Sequence, residues 1–350
     1  MDILEPELIW VDGRCYRFCD NTVWSSEQSN VPYQEDYYQP QYEDIMDDEA
    51  CDGDEMQIDL TNNGSFKHLC YVPKAFYGFI IGYKGSIKKK IETETNTSIT
   101  VPKINSNHEK IEIVGKSRAS VISCRRRIDL LVESSRNKIR FTHFISIPLN
   151  TETIIRNFEN FKSSVLNYGQ HELEGITDDI FVSSKKLHLT IGMLRLLNEK
   201  ERHEAAEALS SCVKNIIQPI LLKTPNPVTI KIQGLNYMND DPSNISVLYG
   251  EVLENDTLQE IANKTFEYFI QKGLMTVLHS EKVKLHMTLM KSSRNINKDQ
   301  RKTTFNASKI LKDFKNYEFG ETILKTINIS ERETIAADGY YNMLTNINFS

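Results

Sequence analysis

Two short stretches of this chain place the same chemistry-bearing residues at the same spacing. Residues 185–194, "KKLHLTIGML", and residues 283–290, "VKLHMTLM", both read Lys-Leu-His-apolar-Thr-apolar, with their histidines 98 positions apart. Such alternation is that of a strand, in which residues two apart share a face. His188 and Thr190 then point one way while Leu187, Leu189 and Ile191 point the other. His286 and Thr288 are opposed in the same manner to Leu285, Met287 and Leu289. A lone His-x-Thr is more often a satisfied core histidine than a site. Two copies, each behind Lys-Leu on an apolar strand, point to one paired site.

Two imidazoles suit a particular reaction class. Cleaving a phosphodiester requires one group to take a proton from the attacking oxygen and another to protonate the leaving oxygen, and side chains that titrate near neutrality do both. Threonine hydroxyls one step along each strand would donate to the non-bridging oxygens of the transition state. Lys186, Lys284 and Lys291 either add positive potential there or are solvated surface lysines. No Asp/Glu/His spacing beside either strand suits a metal, so the site is expected to need neither metal nor cofactor. His143, His171, His203 and His279 have no matching partner and are expected to be structural or on the surface.

A second motif lies upstream in "IIGYKGSIKKKI", residues 80–91. Gly82 and Gly85 bracket Tyr83 and Lys84 in a turn between two short helices. Two glycines let a backbone approach a phosphate closely, and the following helix N-terminus offers unpaired N–H groups. Ile87 and Ile91 pack inward, which leaves Lys84, Lys88, Lys89 and Lys90 near the groove or in solvent. An ordinary Gly-capped turn with a solvated lysine face would look the same at this level.

The elements that must position these motifs can be read from the apolar pattern. From Phe66 the order is strand, helix, turn, helix, strand, strand, long helix, a complete small α+β domain in about 70 residues. From about Phe141 follow a strand "HFISIPL", a helix over 151–168, the first histidine strand, and one helix over 199–217. Strands "VTIKIQGLNYM" and "SVLYGEVL", a helix over 256–273, the second histidine strand, and closing strands "TILKTINIS" and "GYYNMLTNINF" complete the chain. Two strand-helix halves, each with a Leu-His-x-Thr strand, suggest internal duplication.

Charge is segregated along the chain. The net charge of -6 conceals an acidic stretch at 35–59 with 11 Asp/Glu and no Lys or Arg, and a basic one at 66–138 with 15 Lys/Arg against 6 Asp/Glu. A basic surplus confined to one short domain is an electrostatic footprint for nucleic acid. The acidic stretch has too few aliphatic side chains to offset chain entropy and is expected to be a disordered linker. Ahead of it, "ELIWVDGRCYRF" places Asp12-Gly13 between apolar alternations, a hairpin signal or a segment that docks on this chain or on a partner. No apolar run reaches membrane-span length and the N-terminus is acidic, so neither a membrane span nor a secretory signal is expected. The six cysteines are scattered and, in a cytosolic or nuclear protein, expected to be reduced.

The string around Gly82 and Gly85 resembles the K-homology (KH) domain, over residues 66 to about 136 and in the eukaryotic element order. That resemblance implies single-stranded nucleic acid, RNA favoured, with Gly82, Tyr83, Lys84 and Gly85 gripping phosphates. Ile80, Ile81, Ile87 and Ile99 would line the base groove, with Lys88 and Lys89 close by. The paired strands resemble the two-histidine (2H) phosphoesterase superfamily over residues 140–350. This implies a pseudo-symmetric, two-lobed (LigT-like) domain of largely antiparallel β-sheet with helices outside. His188, Thr190, His286 and Thr288 would be catalytic, acting on 2′,3′-cyclic or 2′,5′-linked RNA phosphates. The assignment of base and acid stays open.

The combination of leader, acidic linker, KH domain and the segments "FTHFISIPLN", "KKLHLTIGML", "LNYMNDDP" and "VLYGEV" is similar to the activating signal cointegrator 1 complex subunit 1 family. It implies a nuclear complex with a helicase subunit, linked to transcriptional coactivation and alkylation-damage repair, with cytoplasm as a second compartment. The expected organisation is a docking segment at 1–20, an acidic linker at 21–62, a KH domain at 63–138 and a 2H domain at 140–350. The chain is then either an RNA phosphodiesterase or a non-enzymatic RNA-binding adaptor whose cleft only holds an RNA end. A protein carrying Gly82→Asp with Gly85→Asp is expected to bind single-stranded RNA more weakly without unfolding.

Overall fold

The computed structural model describes residues 8–11, 14–17, 56–103, 110–168, 176–238, 240–276, 282–292 and 304–349. Most of the expected acidic linker lies outside them. The chain divides into two units, Met1–Ile139 and Arg140–Ser350.

In the first unit, strands β1 (Leu8–Val11) and β2 (Arg14–Arg17) form the hairpin that Asp12-Gly13 signals, with Val11 opposite Arg14. Then come β3 (Ile58–Leu60), β4 (Phe66–Tyr71), α1 (Tyr77–Ile81), α2 (Ser86–Thr95), β5 (Thr97–Thr100), β6 (Lys110–Gly115) and α3 (Arg118–Arg136). Cα atoms of β1 come within 8 Å of those of α3, so the leader approaches its own unit. The four strands are ordered β3-β4-β6-β5, which among the described residues leaves one edge of β5 unpaired. Apolar residues at alternating strand positions and at three- and four-residue helix spacings meet in a core of Ile80, Ile99, Ile111, Ile113, Val121, Cys124 and Ile128. The linker expectation is corrected at its end, because residues 58–60 are a strand. The turn "TNNGS" closes it onto β4: Thr61 Oγ1 donates to the Ser65 carbonyl at 2.9 Å and accepts from the Ser65 N–H at 3.2 Å.

The second unit runs β7 (His143–Pro148), α4 (Glu152–Leu166), β8 (His188–Leu194), α5 (Glu199–Cys212), α6 (Gln218–Lys223), β9 (Thr229–Met238), β10 (Val247–Val252), α7 (Asp256–Gln271), β11 (His286–Lys291), α8 (Ser308–Asp313), β12 (Glu318–Ile323), β13 (Thr326–Ile335) and β14 (Tyr341–Asn348). Its eight strands form one antiparallel sheet in the order β12-β9-β10-β11-β8-β7-β13-β14. The repeats β7-α4-β8 and β10-α7-β11 put the two histidine strands side by side at the centre. Helices bury their apolar stripes with the inward residues of the strands in one core that spans both halves.

Two expectations need correction. "TILKTINIS" is not one strand: β12 pairs with β9 at one edge of the sheet while β13 pairs with β7 and β14 at the other. Only Leu324 and Lys325 separate Ile323 from Thr326, a reach of about 10 Å over three steps of the chain. Six inter-strand gaps of a flat sheet would span about 29 Å. The sheet must therefore curl until these strand ends approach. The helix expected over 199–217 also continues further. It widens through a π turn, Val213–Ile217, into α6, because Pro219 has no N–H to offer the carbonyl four residues back.

Phe161 sits among Phe181, Phe314, Tyr317 and Phe319 at ring-centroid distances from 5.3 to 6.5 Å. Phe161→Ala is expected to destabilise the second unit by about 3–5 kcal/mol. Chemical denaturation followed by near-UV circular dichroism measures this. A loss below about 1 kcal/mol would contradict the packing described.

Candidate active site and nucleic-acid interface

The paired site is built by one register. Met287 of β11 stands opposite Leu189 of β8. Both side chains are fully buried on the core face. Carried one residue either way, this antiparallel register sets His188 across from Thr288 and Thr190 across from His286. All four lie on the other face of the sheet and keep part of their surface accessible. The structure thus brings together the four residues that the sequence separates by 98 positions.

Backbone carbonyls fix both rings in the same state. His188 Nδ1 lies 2.6 Å from the Lys186 carbonyl oxygen and His286 Nδ1 lies 2.8 Å from that of Lys284. A carbonyl can only accept, so each Nδ1 carries hydrogen and each neutral ring keeps its lone pair on Nε2. Aromatic rings repeat the symmetry. Tyr341 meets His188 edge-on at 5.4 Å and Phe144 lies 4.9 Å from it, while Tyr249 is 5.1 Å from His286. Lys186 Nζ stands 5.1 Å from the Tyr341 ring and Lys284 Nζ 5.2 Å from the Tyr249 ring. Lys291 closes β11 at its far end, about 17 Å of strand from His286, and does not join this group.

Both histidines titrate below their ordinary value. Burial disfavours the charged His188 ring, the Lys186 carbonyl opposes this, and the nearby His286 adds to it. Burial likewise lowers His286, opposed by the Lys284 carbonyl and reinforced by the Lys284 ammonium. His143 is buried, with Nδ1 2.8 Å from Thr142 Oγ1, and His203 faces Glu207 on α5, so both are structural or on the surface as expected. His171 and His279 lie outside the described residues.

In the first unit the turn between α1 and α2 is tight. Gly82 has φ 68° and ψ -179°, Lys84 φ 48° and Gly85 φ 80°. No side chain caps α2, so its first N–H groups are open to an anion. Tyr83 is 80% exposed, with Lys84 Nζ 5.3 Å from its ring. Lys88 is held by Glu92 at 3.7 Å, and Lys89 is exposed. Of the four isoleucines expected along the groove, the side chains of Ile80 and Ile99 are buried in the core, which corrects their part of that expectation, whereas Ile81 is 38% exposed and Ile87 is partly so.

Comparison with known proteins agrees with this architecture. A mouse protein, activating signal cointegrator 1 complex subunit 1, is 35% identical over the full length of both chains. The chain belongs to the activating signal cointegrator 1 complex subunit 1 family. The KH domain model matches residues 68–130, and the AKAP7 2'5' RNA ligase-like domain model matches residues 141–349. Among solved structures, apo LigT of E. coli is 13% identical with a TM-score of 0.37, covering 59% of this chain and 96% of that one. The first KH type I domain of human Vigilin is 22% identical with a TM-score of 0.21, covering 26% of this chain and 95% of that one.

In this family member, spacing alone had no means of finding Phe144, Tyr249 and Tyr341. They come from three other strands, and only the sheet order places them beside the histidines. Glu92 was also missed, since a carboxylate one turn after a lysine resembles any surface ion pair.

A Cβ on Gly82 would stand 2.6 Å from Ile87 Cγ1, in a backbone region open to glycine, whereas one on Gly85 meets open space. Gly82→Asp, which adds a clash to a positive φ, is therefore expected to lower the thermal stability of the first unit more than Gly85→Asp, which meets only the strain of φ 80°. Equal melting shifts would contradict the turn geometry. For the histidines, the neutral ring is the form the fold favours. Their contribution to stability is complete above the unfolded value of about 6.5 and is lost as pH falls through the lower folded values. An anion in the cleft reverses this by favouring the charged ring. Affinity for a deoxydinucleoside phosphodiester, whose own charge is constant, is expected to rise from pH 7.5 to 5.5 by up to about tenfold per unit per proton taken up. Calorimetry should show that rise weakened in His188→Gln. A flat profile would mean that the imidazoles do not meet the anion.

Proposed function

We propose that this chain is an RNA-binding complex subunit whose second unit cleaves RNA phosphodiesters, at 2′,3′-cyclic or 2′,5′-linked phosphates, by histidine acid–base chemistry. The observation that carries the reading is the pair of imidazoles on adjacent strands, both with Nδ1–H tied to backbone and Nε2 left for substrate. One ring takes a proton from the attacking oxygen and the other gives one to the leaving oxygen. Burial lowers the pKa of both rings, so a phosphate that favours the charged form draws in the one proton that the acid needs. Thr190 and Thr288 donate to the non-bridging oxygens, each lying across from the other strand's histidine. Lys186 and Lys284, held near tyrosine faces, add positive potential.

In the first unit, the Gly82–Gly85 turn and the open N-terminus of α2 bind the backbone of a single strand, with Lys84 and Lys89 adding charge. The name of the mouse relative supports membership of a coactivator complex. A helicase partner, a nuclear location and a part in alkylation-damage repair follow from the same family reading.

Hydrolysis of oligonucleotides ending in 2′,3′-cyclic phosphate, and of 2′,5′-linked ones, tests the cleft. His188→Ala and His286→Ala are each expected to slow cleavage by about 10²- to 10⁴-fold. Thr190→Val and Thr288→Val should each cost about 10²-fold. If wild type and variants cleave equally, or none cleaves while the nucleotide still binds, the cleft only holds RNA and the chain is an adaptor.

A further inference from the structure

A carboxylate sits where a nucleic-acid groove would be expected to carry only cations. Glu92 lies one turn after Lys88 on α2, largely covered, and its Oε1 accepts the backbone N–H of Ile99 at 2.7 Å. Ile99 belongs to β5, the edge strand, where it pairs with Ile113 of β6. In an antiparallel ladder the N–H and C=O of one residue point to the same side. Since the Ile99 N–H turns outward to Glu92, its carbonyl also faces the open edge of the sheet. A strand edge normally offers a donor and an acceptor together. Here Glu92 consumes the donor and puts a carboxylate in its place, so the edge presents two acceptors side by side.

We infer that Glu92 and the Ile99 carbonyl form a guanine-selecting subsite in the first unit. This rests on the reading of that unit as a single-strand binding groove. Among the four bases, guanine alone has two adjacent donors on its pairing edge, N1–H and the N2 amine. Adenine and cytosine set one amine beside a ring-nitrogen acceptor, and uracil sets one N–H between two carbonyl oxygens. A carboxylate oxygen taking N1–H with the Ile99 carbonyl taking N2–H satisfies guanine and leaves any other base with acceptor facing acceptor. Lys88, 3.7 Å from Glu92 Oε1, offsets the repulsion between the carboxylate and the strand's own phosphates. Glu92 thereby adds selectivity to a turn and helix that otherwise hold only backbone.

The test uses the full-length chain and fluorescence anisotropy with uridine heptamers carrying one central guanosine, adenosine, cytidine or inosine. Wild type is expected to bind the guanosine heptamer about 5- to 150-fold more tightly than the adenosine one. Inosine, which lacks the N2 amine, should lose most of that advantage, and 7-deazaguanosine, whose pairing edge is intact, should keep it. Glu92→Gln retains an oxygen for the Ile99 N–H but turns the second acceptor into a donor, so it should shift preference toward adenosine or cytidine. Equal wild-type binding of guanosine and adenosine, or a ratio unmoved by Glu92→Gln, would overturn the subsite. If Lys84→Glu still weakens every heptamer in that case, the groove stands without it. Absence of binding to any heptamer would overturn the groove reading and the subsite together.

Discussion

The contact of β8 with β11 at Leu189 and Met287 is the constraint on which the second unit's chemistry depends. Each half of that unit supplies one histidine and one threonine, and neither half alone makes a site. The junction joins them by burying two large apolar side chains on the core face, which fixes the register without using the opposite face. A slip of β11 by one residue would turn His286 and Thr288 into the core and Met287 and Leu289 outward. That cost in buried apolar surface is what holds the polar quartet in place. The narrowness of the junction matters as well, since a long ladder would continue the sheet flat across the cleft.

Curling of the sheet follows from the chain's path. After completing the edge of the second half with β12, the chain must return within a few residues to build β13 and β14 beside β7. β14 delivers Tyr341 to the side of His188, while the second half takes its equivalent aromatic, Tyr249, from β10. The pseudo-symmetry is therefore one of environment more than of sequence. Among the described residues His188 has two rings beside it and His286 one, yet burial lowers the pKa of both and a carbonyl two residues earlier aligns each.

Much of this could be read from the residues. Period-two alternation marked most strands, and the repeated Leu-His-x-Thr placed the four site residues on one face of two strands. The glycine turn and its lysines were plain because glycine at those positions reports a backbone conformation directly. What stayed hidden depended on partners distant in the chain. The break at Leu324-Lys325 carries no turn residue, so two strands in different halves looked like one. Ile80 and Ile99 looked like groove residues because an isoleucine at a groove rim and one beneath it have the same local pattern. β3 was masked by the acidity of the stretch it ends.

The residues found only in three dimensions share a physical reason for their obscurity. In each site a main-chain group sets what a side chain can do. The carbonyls of Lys186 and Lys284 direct the proton to Nδ1 and so decide which nitrogen meets substrate. The N–H of Ile99 turns Glu92 from a surface carboxylate into part of a strand edge. Main-chain groups are present at every non-proline residue, so no residue type announces them. They become specific only when a strand end or a sheet edge leaves them unpaired by the ladder. Both sites lie where that happens: at the first residues of β8 and β11, and along the open side of β5. Regular secondary structure satisfies its own backbone, and it is where that regularity stops that the fold has backbone groups left to assign function.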